Sequence, residues 1–153
     1  MTKWVTVEAI GIENRMTGDD PGNALEIYGH LGAWVIFMNP AGNPQHRIEH
    51  LLMNRMDPSM NQSIAEHTTL HIGKTTPRMN VRPNEFLWIG GHLKEQDDTS
   101  ANDSLGDNHL KFRYDILYDH VGEEKRVMFT ESGQFVEAIF RIRVASRPWW
   151  HFR

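Results

Sequence analysis

Apolar and polar residues alternate along most of the chain, in runs closed by Gly, Asn, Asp and Pro. The longest run covers residues 24–38. Leu25, Ile27, Leu31, Val35 and Phe37 share one parity, which the two-residue period of a strand sends toward a core. Glu26, Tyr28, His30, Trp34 and Ile36 take the other parity. That second face is partly apolar, so it is either covered or a contact surface. Residues 4–13 are rich in β-branched side chains and alternate with a slip near Ala9 and Gly11, as at a β-bulge. Residues 86–93 and 110–117 read as strands on either side of an acidic stretch. Residues 125–130 are short and strand-like. Residues 134–144 close the chain, with Val136, Ala138, Phe140, Ile142 and Val144 on the inner parity.

The remaining segments are less regular. Residues 46–55 suit a short helix or a strand. Ser63 and Glu66 have the spacing of a helix capping box, although the run after them is short and Thr-rich. Residues 69–72 suit a strand. Thr76-Pro77 and Arg82-Pro83 limit what lies between them to an extended edge segment. The expected fold is therefore all-β: a single domain over 1–153, an antiparallel β-sandwich of about eight strands, Greek-key-like, with at most one or two short helices.

Composition narrows the function classes. Five Trp and seven Phe, with many aliphatic residues, are enough for a core in 153 residues. The net charge of −4, with no basic block, argues against nucleic-acid binding through phosphate contacts. With no cysteine there is neither a disulfide framework nor a thiolate metal site. The first residues lack the pattern of a secretory signal, and no apolar run approaches the roughly 20 residues that span a bilayer. A cytoplasmic location is expected, with peripheral membrane association or later release left open.

The acidic stretch at 95–107 is the main candidate for chemistry. It concentrates Glu95, Asp97, Asp98, Asp103 and Asp107 between two strands. Carboxylates this close repel one another and either stay apart in water or share a cation. Calcium suits them, since it takes about six to eight hard oxygen ligands in loose geometry. Glu95, Asp97 and Asp103 supply side-chain oxygens, with Asp98, Asn102 or backbone carbonyls completing the set. The alternative is a solvated loop that binds nothing. Asp19 and Asp20 lie in a second turn-rich loop, and would add ligands if both loops emerge at one end of the sandwich.

Residues 93–106, with Glu95, Asp97, Asp103, Leu105 and Gly106 in place, resemble the third calcium loop of C-two-type domains, membrane-targeting β-sandwiches of signalling and vesicle proteins. Asp19, Asp20 and Gly22 resemble that family's first loop less closely. Glu26 stands where a second Asp is usual, and the family's Asp-Pro-Tyr is missing. The resemblance implies calcium binding by Asp19, Asp20, Glu26, Glu95, Asp97, Asp98, Asn102 and Asp103, coupled to a lipid headgroup or protein partner.

Two further patterns compete. Nine histidines are many for this length. His46-Arg-Ile-Glu49-His50 matches the inverted zincin pattern, in which a helix places two His ligands on one face around a Glu base. Glu123 or Glu124 would be the distant third ligand of a small zinc hydrolase. The surroundings lack a long helix, and surface and core histidines are the simpler reading. The segment 147–153, with Trp149 and Trp150 among arginines, suits a membrane interface or partner contact, or else folds back over the sandwich. The second of these is favoured, because adjacent exposed tryptophans are a liability. The leading expectation is a non-enzymatic calcium-coupled binding module. The alternatives are a metal-free interaction, assembly or toxin-type sandwich and, last, the zinc hydrolase.

Overall fold

The computed structural model describes residues 1–18, 22–96 and 103–151. Ten strands form two antiparallel sheets packed face to face. They are β1 (Lys3–Met16), β2 (Ala24–Met38), β3 (Pro44–Arg55), β4 (Gln62–Ala65), β5 (Thr69–Thr75), β6 (Met79–Val81), β7 (Phe86–Glu95), β8 (Asp103–Arg113), β9 (Glu124–Glu131) and β10 (Gln134–Val144). The first sheet has the order β5-β1-β10-β9, with β6 also on β1. The second has the order β3-β2-β7-β8, with β4 also on β2. Short 3-10 turns occupy Pro58–Met60, Tyr114–His120 and Trp149–His151.

The core follows the alternation. Leu25, Ile27, Leu31 and Val35 of β2 are buried against Val5, Val7 and Ile12 of β1, Leu87, Ile89 and Leu93 of β7, and Val136, Phe140 and Ile142 of β10. The strand ends depart from the expected parity. Phe37 and Val144 are exposed. The slip in β1 is real: its registers with β10 and with β5 both shift between Ala9 and Gly11.

Three local expectations change. Residues 46–55 belong to the edge strand β3, not to a helix. Ser63 and Glu66 cap no helix. Ser63 lies in β4, and the Glu66 carboxylate accepts the Thr17 N–H at 2.8 Å. The strand expected at 110–117 stops at Arg113, and a 3-10 turn then buries Leu117. That strand also starts earlier than expected, at Asp103, which shortens the acidic loop.

The outer faces of the two sheets differ in character. On the first, acids and arginines pair across strands: Glu8–Arg143 and Glu13–Arg126 at 2.6 Å, and Arg15–Glu137 at 2.9 Å. On the second, Trp34 faces Trp88 and His30 faces His92 across β2 and β7. Trp34 stays 8% exposed because the rings of His30 and His109 edge against it, and its indole N–H donates to Glu49 at 2.7 Å. The partly apolar second parity of β2 is thus covered by its own neighbours on the sheet.

Candidate functional site

The strand directions place the two acidic loops at one end. β1 runs toward that end and β2 leaves it; β7 runs toward it and β8 leaves it. Ile27 pairs with Glu95, and the Gln96 N–H donates to the Glu26 carbonyl at 2.8 Å. The stems of the loops spanning residues 17–23 and 96–102 are therefore neighbours. A buried knot holds the first stem. Asn14 donates through Nδ2 to Thr17 Oγ1 at 3.1 Å and to the Ile64 carbonyl at 2.8 Å. A hydrogen bond from Asn61 Nδ2 to Gln96 Oε1, 3.2 Å, braces the second.

The proposed ligands divide into groups. Asp19, Asp20, Asp97, Asp98 and Asn102 lie outside the described residues. Asp103 opens β8 directly opposite Glu95 in the β7–β8 register. Glu95 is 1% exposed and shares the inner parity of Leu87, Ile89 and Leu93. A carboxylate removed from water this fully is held by what it pairs with, chain donors or a cation. Glu26 sits between the buried Leu25 and Ile27, on the opposite parity. Glu26 and Glu95 thus belong to opposite faces of one sheet, and the structure does not bring their side chains together. The donor set is all oxygen, which fits calcium rather than a transition metal. Among the described residues no three His, Asp or Glu side chains are grouped to hold a metal.

The zinc pattern is corrected by the strand. In β3, Glu49 is paired with Trp34 and the adjacent His50 with Ala33, so the two alternate to opposite faces. His46 and His50 stand roughly 13 Å apart along an extended chain at strand rise, instead of one helical turn. Glu49 is engaged by the Trp34 indole. Lys125 contacts Glu123 at 3.2 Å and Arg126 contacts Glu124 at 3.4 Å, so neither acid completes a zinc site with His46 and His50.

The aromatic tail does not fold over the sandwich. Trp149 is 68% exposed and Trp150 55% exposed, ring against ring at 6.0 Å. Buried Pro148 and the Ala145 N–H, which donates to the Trp4 carbonyl at 2.9 Å, fix the chain leading to them. This is the end that β10 reaches after leaving the acidic end. β1, 14 residues long, separates the two ends by roughly 45 Å at strand rise. Other residues gather here too. Phe37, Met38 and Tyr118 are exposed, and Met1, Trp4, Arg82 and Arg147 line a cavity of about 370 Å³. The Tyr118 hydroxyl accepts the Trp4 N–H at 3.2 Å. Strand direction was the missing signal, because β4 keeps the direction of β3 and β6 that of β5, which only the pairing with β2 and β1 reveals.

No protein-family model matches the chain, and no curated protein matches it. Solved structures of similar fold include a chain of the Cry23Aa1 and Cry37Aa1 binary protein complex, 17% identical, with TM-score 0.47 over 96% of this chain and 100% of that one. A C-two domain of plant extended synaptotagmin 1 is 8% identical, with TM-score 0.43 over 95% of this chain and 97% of that one. Human GIVD cytosolic phospholipase A2 is 11% identical, with TM-score 0.43 over 95% of this chain and 18% of that one. The chain spans under a fifth of that phospholipase.

Proposed function

We propose that this chain is a non-enzymatic binding module whose acidic end takes up calcium and then engages a lipid headgroup or a protein. The observation that carries the reading is the adjacency of the two loop stems, fixed by the Ile27–Glu95 pairing and the hydrogen bond from Gln96 to Glu26. It allows acids from both loops to serve one ion. Asp19, Asp20, Glu95, Asp97, Asp98, Asn102 and Asp103 would hold it. Calcium would supply charge neutralisation, turning the field at that end from negative toward neutral. Glu26, on the other face of the sheet, is left out of the ligand set.

Calorimetric titration of metal-stripped protein tests this. Saturable calcium binding is expected, with magnesium giving little heat, and a raised melting temperature should accompany it. Combining Asp97→Asn with Asp103→Asn should abolish both effects. A flat calcium titration of the unaltered protein refutes the reading. A second reading, an interaction module that uses no metal, draws on the exposed pair Trp149 and Trp150. Protein that binds its partner equally well in EDTA would favour it.

A further inference from the structure

We propose that the end opposite the acidic loops is a docking surface for anionic phospholipid membranes and works without calcium. This contact is separate from the calcium-coupled one at the acidic end, and it does not require an ion there.

The surface combines two chemistries. Trp149, Trp150, Phe37, Met38 and Tyr118 present apolar area to solvent at this end. Tryptophan and tyrosine favour the boundary between headgroups and acyl chains, where an apolar ring and a polar edge are both satisfied. Exposed apolar side chains gathered at one end are a mark of contact sites. Around it stand the cations. Arg82 and Arg147 share the walls of a cavity of about 370 Å³, beside Met1, Thr2, Trp4 and Asn80. Arg113 is exposed at the end of β8, with Asp115 at 3.5 Å. Lys3 lies beneath the Tyr114 ring, 4.4 Å from its centroid, and donates to the Tyr114 carbonyl at 2.7 Å. Glu85 does not offset these charges, because it is taken up by Arg47 at 2.7 Å. Guanidinium groups match phosphate geometry.

Charge selects the occupant. The chain as a whole carries −4, with Glu95, Asp103 and Asp107 toward one pole and Arg82, Arg113 and Arg147 at the other, where Asp115, Asp119, Glu123 and Glu124 offset part of the positive charge. Near an anionic surface the acidic pole is repelled, so the aromatic pole arrives first. A neutral or basic partner would gain nothing from that orientation.

The test is co-sedimentation with vesicles in EDTA, using phosphatidylcholine alone or mixed with phosphatidylserine. Binding is expected only to the mixed vesicles, weakening as salt rises. It should come with a blue shift of tryptophan emission. Trp149→Ala with Trp150→Ala should remove the shift and the sedimentation while leaving the melting temperature unchanged. Arg82→Gln or Arg147→Gln should each weaken binding roughly fivefold, the effect of one basic residue near such a surface. The lack of binding to mixed vesicles in EDTA would overturn the proposal. So would unchanged binding by the double Trp variant. Protection of the cavity arginines by inorganic phosphate without vesicle binding would identify a soluble anion site instead. A dimer that dissociates in the double Trp variant would show that a second copy covers the surface. Calcium binding at the acidic end can succeed or fail independently of each of these results.

Discussion

At the scale of single residues, the pair of Arg47 and Glu85 shows how a charge is made tolerable inside the sandwich. Arg47 donates to both Glu85 oxygens, at 2.8 and 2.7 Å, and the Arg82 N–H adds a third bond at 2.8 Å. Burial alone pushes the Glu85 carboxyl up. The hydrogen bonds from Arg47 and Arg82, with the charges of both arginines, outweigh it and hold the group below the ordinary carboxylate range. The pair is mostly buried, so Glu85→Gln should cost roughly 2–3 kcal/mol in urea unfolding, somewhat less than a fully buried pair. The histidines of the second sheet act in the opposite sense. Burial lowers His30 and His109 below the ordinary histidine value of 6.5, with Asp107 opposing it in both cases. The unfolded chain then takes up protons that the folded one refuses, so stability falls as pH drops from about 6.5 toward the lowered folded values. Urea midpoints at about pH 7.5 and about pH 5.5 should differ less in a His30→Gln and His109→Gln variant than in the unaltered protein.

At the scale of elements, Gly90 and Gly91 give β7 its close contact with both neighbours. A Cβ at Gly91 would collide with the His30 carbonyl oxygen of β2, and one at Gly90 with the Asn108 carbonyl oxygen of β8. Both residues also hold positive φ, +144° and +156°. Gly91→Ala should therefore destabilise by more than about 2 kcal/mol, visible as a lowered thermal midpoint. The sequence marked β2 from Ala24 to Met38, because turn residues bracket a long alternation. It misread residues 110–117 for a physical reason. A two-residue period and a three-residue turn coincide over so short a run, so the bend after Arg113 left no trace in the pattern. β3 was ambiguous because an edge strand buries little, and its polar outer parity mimics a helix face. The acidic loop was legible as composition. The position of its partners was not, since Glu26 and Glu95 are divided by sheet parity, which needs the register between strands.

At the scale of the molecule, the poles matter more than any single loop. The candidate calcium ligands and the exposed tryptophans belong to surfaces roughly 45 Å apart at strand rise. One flat membrane cannot meet both end-on. Titrating calcium into protein already bound to anionic vesicles should therefore leave the tryptophan emission unchanged, even where calorimetry records ion binding. An emission shift driven by calcium would show that the two poles communicate through the sheets.

The free side of β1 is shared by two short strands, β5 over its second half and β6 over its first. The switch between them comes at Thr76, whose hydroxyl accepts the Val7 N–H at 3.0 Å and whose own N–H donates back to Val7, just before Pro77. A stray extended peptide seeking to lengthen this sheet finds only seven residues on β5 and three on β6, with a proline between them that has no proton to offer. That margin is therefore guarded against runaway fibre growth by its own interruption.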